Sequence, residues 1–325
     1  MQRRIPDLGE KLKTRYSFEQ IIGNSKVIKG SIRLARKVAP TDSTVLLEGE
    51  TGTGKELFAR SIHNASPRRN QPFIEVNCSA IQKDLLEFEL FGYKKGVFTN
   101  ANFDKKGLFE EAHEGTIFLD EIGDMESSLQ VKLLKVLDDQ SFTRIGDTKP
   151  VKVNVRIIAT NDRDLLQESR QKRFRIDLYY RLAEFKIVVP PLRERVDDLE
   201  ELANHIIRFY SHKTNKNITG MDESFFRKLK EYEWTGNTRE LKNMIERAVL
   251  LCDKEFLTVD LLPYEIAKPV YVASRAGFKG TLEELEKMHI RKILEIAKGN
   301  KTKAAKILGI GIPTLYRKIE KFGFE

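Results

Sequence analysis

Cysteine is nearly absent from this chain of 325 residues, which carries only Cys78 and Cys252. The two stand far apart and neither belongs to a C-x-x-C pair. That argues against a zinc site or a disulfide framework and fits a reducing compartment. No apolar run approaches the length of a membrane span, and Met1-Gln2-Arg3-Arg4-Ile5-Pro6 leads into no apolar leader segment. The expectation is a cytoplasmic protein with no membrane partner. Proline and glycine are also sparse, at 10 and 20 residues, and there is no internal repeat or low-complexity tract. What remains is an ordinary globular composition, 40% hydrophobic and 32% charged. The length gives room for about two or three domains.

The net charge of +9 is unevenly spread, because residues 276–325 hold eleven Lys or Arg against six Asp or Glu. A basic end of that kind is either a nucleic-acid footprint or a solvated helix face.

Short apolar and β-branched runs alternate with helical patterns over the first 190 residues. Thr44–Glu48, Phe73–Val76, Thr116–Asp120, Val155–Thr160 and Phe185–Val189 read as strands. A helix after Ser25, its expected cap, carries Ile28, Ile32, Leu34 and Ala35 on one stripe, and another covers Leu129–Leu137. This alternation predicts an α/β fold with a mostly parallel sheet covered on both faces. Pro190-Pro191 ends the pattern. The predicted organisation is a linker over 1–20, an α/β domain over 21–190 and a helices-only subdomain over 191–267. A second linker over 268–280 and a helical domain over 281–325, capped by Thr281, complete it.

The chemistry is concentrated in Gly49-Glu50-Thr51-Gly52-Thr53-Gly54-Lys55-Glu56. It lies between a predicted strand and a predicted helix and has the phosphate-loop spacing G-x-x-x-x-G-K. Glycines let backbone N–H groups converge on a phosphate, the helix terminus adds partial positive charge, and Lys55 adds a full one. The eighth position, usually Ser or Thr, is Glu56. The strand Thr116–Asp120 ends in Asp120-Glu121. Beside a phosphate loop, the first carboxylate is placed to hold Mg²⁺ and the second to polarise an attacking water; alone, the pair also fits an acidic turn. Asn161, after the next strand, is placed to orient that water or simply to make a turn.

Asn237 and Glu240 have capping-box spacing, which predicts a helix start there and puts Arg239 in its first turn. A cation is disfavoured at that end, which suits either an external phosphate or an ordinary surface arginine. By spacing alone, Arg175 and Arg181 are ion-pair partners for Asp177 or Glu184. Near the end of the chain, Lys303–Leu308 reads as a short helix stopped by Gly309, and Pro313–Phe322 as a second one. Leu315, Ile319 and Phe322 make its apolar stripe, leaving Thr314, Arg317, Lys318 and Lys321 outward with Tyr316 at the edge. A glycine turn before a basic second helix predicts a helix-turn-helix, with a plain helical hairpin as the alternative.

Together these residues make 21–325 resemble the bacterial enhancer-binding proteins, AAA+ ATPase activators of sigma-54 RNA polymerase that carry a Fis-type helix-turn-helix. The phosphate loop is similar to theirs, including Glu56, and Leu119-Asp120-Glu121-Ile122-Gly123 looks like their Walker B segment. The resemblance implies that ATP and Mg²⁺ are used, with Asp120 on the metal and Glu121 as base. It makes Arg175 and Arg181 paired arginine fingers, Arg239 the sensor II arginine and Asn161 sensor I. Asn77 would restrain Glu121, and Ile22-Gly23 would hold adenine.

The family's sigma-54 contact loop, Gly-Ala-Phe-Thr-Gly-Ala, is here Gly96-Val97-Phe98-Thr99-Asn100-Ala101. Phe98 and Thr99 keep the contact pair, while Val97 and Asn100 depart from it. The segment from Gln140 to Val153 looks like the second inserted loop. The resemblance further implies a ring, with a hexamer expected and a dimer as the alternative resting state. Upstream palindromic double-stranded DNA would be bound through Lys303, Thr314, Tyr316, Arg317, Lys318 and Lys321. A sensory domain or a separate partner would control the ring. Two rivals stand beside this expectation: a regulator of the same fold that does not activate sigma-54, and a general AAA+ remodeller that binds nucleic acid non-specifically.

Overall fold

A computed structural model describes residues 16–97, 102–267, 281–297 and 299–324. Most of residues 1–20 and the whole of the predicted linker 268–280 lie outside the described residues. The chain divides into two compact units, Met1–Ala267 and Lys268–Glu325.

The larger unit is built on five parallel strands: β1 (Val45–Glu48), β2 (Phe73–Asn77), β5 (Thr116–Asp120), β8 (Arg156–Asn161) and β9 (Phe185–Val188). Their order is β2-β5-β8-β1-β9. β1 is buried along its whole length and β5 through its first four residues, the pattern of strands covered on both faces. Two short antiparallel hairpins that local pattern did not announce are inserted between these strands. One pairs β3 (Gly92–Tyr93) with β4 (Lys105–Lys106), the other β6 (Ser141–Thr143) with β7 (Pro150–Lys152).

The helices that matter here are α1 (Lys26–Val38), α2 (Lys55–Asn64), α3 (Ser127–Asp139) and α4 (Ile176–Leu182). α1 buries Ile28 and Ala35 as expected, but Leu34 is exposed. Ser25 sits at its N-cap without capping it. The Ser25 hydroxyl instead donates to Asp198 (2.6 Å), whose carboxylate also accepts the N–H groups of Asn24 (2.6 Å) and Ser25 (2.7 Å). A carboxylate from a distant turn thus takes over the capping role. The ordered unit also begins before residue 21, because Phe18 is buried with Ile21, Ile28 and Val38.

Residues 192–267 form a second apolar core around α5 (Leu199–Lys213), α6 (Glu223–Glu231) and α7 (Asn237–Leu251), with Trp234 buried among them. The expectation of helices only fails here by one small element: Gly220–Met221 and Phe256–Leu257 pair as parallel strands. The separate unit holds α8 (Leu282–Ile296), α9 (Lys301–Leu308) and α10 (Ile312–Phe322) around Ile290, Ala304, Leu315 and Ile319. Among the described residues no helix is long and apolar enough to cross a membrane.

Arg156, at the start of β8, and His63, on α2, are basic side chains buried in the larger unit. Arg156 donates to the carbonyls of Ala39 (2.7 Å) and Val38 (2.8 Å), closing the C-terminal end of α1, and burial pulls its pKa down to about 10. His63 contacts the Thr116 hydroxyl (2.9 Å). Burial first, then the charges of Arg156 and Arg60, pull its pKa down from 6.5 to about 4. The unfolded imidazole therefore binds a proton that the folded one refuses. His63 contributes stability that is complete above its unfolded pKa and fades as pH falls from 6.5 through about 4. Urea midpoints measured across that window should fall more steeply for the parent than for His63→Gln. Parallel curves would exclude this contribution.

Candidate active site

The parallel register lines up the carboxyl ends of the strands. Asn77 stands opposite Asp120, and Glu48 opposite Asn161. In open parallel sheets that edge is where ligands bind. The phosphate loop leaves β1 there and turns into α2. Gly52, at φ +80°, must be glycine, since a Cβ would stand 2.3 Å from the Gly236 carbonyl oxygen. Thr53 is buried and its hydroxyl donates to the Glu50 carbonyl (2.8 Å). Lys55 is buried, and its ammonium donates to the carbonyls of Gly49 (2.6 Å) and Glu50 (3.1 Å). Burial lowers its pKa, and the charges of Asp120, Asp162 and Glu121 work against that shift. The arrangement is a concentrated positive charge wrapped in backbone, suited to an anion richer in oxygen than two carbonyls. Glu56 turns outward to Arg60 (2.7 Å, one helical turn on) rather than into the loop.

Asp120 is held from both neighbouring strands. Asn77 Nδ2 donates to its Oδ2 (3.2 Å), and the Thr160 hydroxyl donates to its Oδ1. Glu121 follows in left-handed conformation, φ 55°, which costs energy for a residue with a Cβ. Asn77 makes no hydrogen bond to Glu121. Its Oδ1 instead accepts the Ser79 N–H (2.9 Å), the Ser79 hydroxyl (2.8 Å) and the Ala80 N–H (3.0 Å). The same Ser79 hydroxyl donates to Glu121 Oε2. A hydroxyl has one proton, so Asn77 and Glu121 compete for it. Ser79 was missed from sequence; the signal available was a hydroxyl two residues after an Asn able to form such a turn.

Asn161 is buried with its amide engaged by backbone. Its Oδ1 accepts the Gly123 N–H (2.9 Å) and its Nδ2 donates to the Arg163 carbonyl (2.8 Å). It fixes the turn after Asp120-Glu121, and Thr160 is the neighbour that reaches the carboxylate. Cys78 lies beneath, its thiol pushed up to about 12 by burial and then by Asp120, and is chemically quiet.

The helical subdomain closes over the loop. Asn237, expected as a helix cap, has φ 53° and is fully buried. Its Oδ1 accepts the Leu192 N–H (2.8 Å), and its Nδ2 donates to the Thr51 carbonyl (3.0 Å) and Glu50 Oε2 (3.2 Å). With that amide diverted, Gly236 is the cap and its N–H donates to Glu240 (2.8 Å). Arg193 makes a two-pronged pair with Glu50, 2.6 Å on each arm, and this bond leads the causes that hold the Glu50 carboxyl below its usual range. The Arg239 N–H donates to the Gly52 carbonyl (3.3 Å). Its exposed side chain lines a cavity of about 570 Å³ with Thr51, Asn243 and Arg247. Ile22 packs on the helical core, and a Cβ at Gly23 would stand 2.7 Å from Asp198 Oδ2.

Arg175 and Arg181 are half exposed at α4, beside exposed Ile176 and Tyr180. Arg175 pairs with Asp177 (2.6 Å), as spacing suggested. Arg181 pairs with Asp138 (3.0 Å) rather than Glu184, whose carboxylate accepts the Thr44 N–H (3.1 Å).

Of the segment Gly96–Ala101, Phe98, Thr99, Asn100 and Ala101 lie outside the described residues. At its base Lys94 pairs with Asp104 (2.6 Å) and reaches Asp147 of the second loop (3.7 Å). Gly146, at φ +76°, faces Val97 so closely that a Cβ would stand 2.4 Å from Val97 Cγ2. The valine therefore fills the space left by a missing side chain on the neighbouring loop.

In the smaller unit, Thr281 and Glu284 form a reciprocal capping box, with the Glu284 N–H reaching Thr281 Oγ1 (3.2 Å) and the Thr281 N–H reaching Glu284 (2.8 Å). Two of the expected DNA contacts are spent internally: Lys318 pairs with Glu286 (2.5 Å) and Lys321 with Glu283 (2.7 Å), both on α8. Lys303, Tyr316 and Arg317 are exposed and Thr314 half-buried. Lys301, overlooked in the sequence, stacks its ammonium over Tyr316 (4.9 Å).

Comparison with known proteins agrees with this architecture. Residues 21–188 match the family described as "Sigma-54 interaction domain", 193–276 the "AAA+ ATPase lid domain" and 281–322 "Bacterial regulatory protein, Fis family". The chain is 40% identical to Regulatory protein AtoC of Escherichia coli over 100% of its length and 72% of that protein's. It is 42% identical to Transcriptional regulatory protein ZraR of Salmonella typhimurium, over 93% of this chain and 68% of that one. Crystal structures of NtrX from Brucella abortus with ADP and with ATP superpose with TM-scores of 0.72 and 0.70. Each is 34% identical and covers 96% of this chain and 72% of NtrX. The chain belongs to the sigma-54-dependent transcriptional activators and is an AAA+ ATPase with a lid and a Fis-type helix-turn-helix.

Proposed function

We propose that this protein hydrolyses ATP between subunits of a ring, expected to be a hexamer, and uses the cycle to drive the Gly96–Ala101 loop against sigma-54 RNA polymerase. The observation that carries the reading is a division of labour. Lys55, Asp120 and Glu121 gather at one sheet edge, while Arg175 and Arg181 stand half exposed on α4, paired with Asp177 and Asp138 rather than with the phosphate loop. Arginines placed outward beside apolar Ile176 and Tyr180 suit delivery to a neighbour's phosphates.

The residues fit Mg²⁺ in the way that metal prefers. Among the described residues no group of three or more His, Cys, Asp or Glu could cage it, so Asp120 would share it with phosphate and water. When bound, the metal neutralises charge on the transferred phosphoryl group. Lys55 leaves its two carbonyls for phosphate oxygens, and Glu121 takes the proton of the attacking water once Ser79 releases it. Asn77 and Thr160 keep Asp120 in place throughout.

The C-terminal unit would hold upstream DNA through exposed Lys303, Tyr316 and Arg317, with Lys301 stacked over Tyr316. Leu282, Leu285 and Met288 are exposed on α8, which supports pairing of two copies on a palindromic site.

A regulator of this fold that no longer activates sigma-54 is the second reading, motivated by Val97 and Asn100. The fit of Val97 against Gly146 favours an activator, because the departure is matched on the adjoining loop. Three outcomes check these readings. Glu121→Gln should bind ATP and lose turnover by roughly a hundredfold or more; normal turnover removes Glu121 as base. Specific ATPase activity should climb with protein concentration as subunits meet, and a flat profile from dilute protein upward contradicts a shared site. Gly146→Ala should cut open-complex formation more in the parent than in a Val97→Ala background, by roughly 1 kcal/mol of coupling, with ATPase little changed. Equal losses in both backgrounds exclude the pairing.

A further inference from the structure

Glu50 carries a carboxylate on the phosphate loop itself, close enough to feel the charge of Lys55. Three contacts from the lid meet that loop at consecutive residues. Arg193 forks onto Glu50 (2.6 Å on each arm), Asn237 reaches Glu50 (3.2 Å) and Thr51 (3.0 Å), and the Gly236 carbonyl lies over Gly52. The lid segments are themselves tied together, since Asn237 accepts the Leu192 N–H (2.8 Å) and Arg195 donates to Thr238 (2.9 Å). The Arg193 and Glu50 side chains are 47% and 40% exposed, so the pair adds little to folding stability. Its geometry is nevertheless that of a strong, directional, two-pronged bond.

We propose that Arg193 is a positioning residue for ATP binding: it neutralises Glu50 and, with Asn237, sets the phosphate loop by the position of the lid. The loop then presents its N–H groups to phosphate only when the lid is seated. Lid rotation and phosphate affinity become one equilibrium. With Arg193 removed, Glu50 stays charged beside the incoming phosphates and repels them. With both charges removed, the repulsion goes.

That sign is the test, using the full chain, a fluorescent ATP analogue with Mg²⁺, and steady-state kinetics. Arg193→Ala should weaken binding and raise KM about tenfold, with kcat at saturation changed less than about threefold. Adding Glu50→Gln to that variant should restore affinity to within about threefold of the parent. Arg193→Lys keeps the charge but loses the fork, and should bind more weakly than the parent and more tightly than Arg193→Ala. Parent-like affinity in Arg193→Ala overturns the proposal. So does a double variant no better than Arg193→Ala, which would make the residue a structural support and nothing more. If Arg193→Ala melts far below the parent, Arg193→Gln replaces it and the same comparison with Glu50→Gln decides.

Discussion

Asp120 receives one hydrogen bond from each neighbouring strand, Asn77 on β2 and Thr160 on β8, and the rest of the site depends on that grip. A parallel sheet delivers it almost without further design. Strand ends in register bring three side chains to one edge, and the loop after β1 lands beside them. Shifting β2 or β8 by one residue would turn Asn77 or Thr160 to the opposite face and leave the carboxylate free to swing. β8 is buried along its whole length, so such a slip would also force its side chains to repack. Core packing and site geometry are therefore one constraint at this edge.

The second organising contact is between the lid and the α/β domain. Asp198 caps the chain at Asn24 and Ser25, next to Gly23, while Arg193 and Asn237 hold Glu50 and Thr51. The Gly23 turn and the phosphate loop are thus both bonded to the same short stretch, 192–198, or to the start of α7. A ligand between them would press on the lid at two points. The lid in turn would decide how the phosphate loop is presented. The inserted hairpins repeat the device on a smaller scale: Lys94 reaches across to Asp147, and Val97 to Gly146, so two loops share their packing.

Much of this was legible in the sequence because it is local. Glycines and a lysine at fixed spacing, apolar runs ending in Asp-Glu, and a glycine turn ahead of Pro313 each encode backbone geometry within a dozen residues or so. The partners of those residues were not legible. Ser79, Arg193 and Thr160 act through side chains brought near by topology. Asn237 has a cap's spacing to Glu240, yet its amide is claimed by residues far away in sequence. Lys318 and Lys321 looked like free cations until α8 supplied Glu286 and Glu283. Two-residue strands escaped because their pairing rests on tertiary contact, with no periodicity to announce it.

The role of the whole machine rests on hydrolysis being spent on the polymerase. The direct measurement is open-complex formation on a sigma-54 promoter in a purified system, with ATP and in parallel with a non-hydrolysable analogue. Open complexes with ATP, and none with the analogue, are the expected result. ATP turnover without open complexes would contradict an activating role and leave a DNA-bound ATPase of the same fold with a different client.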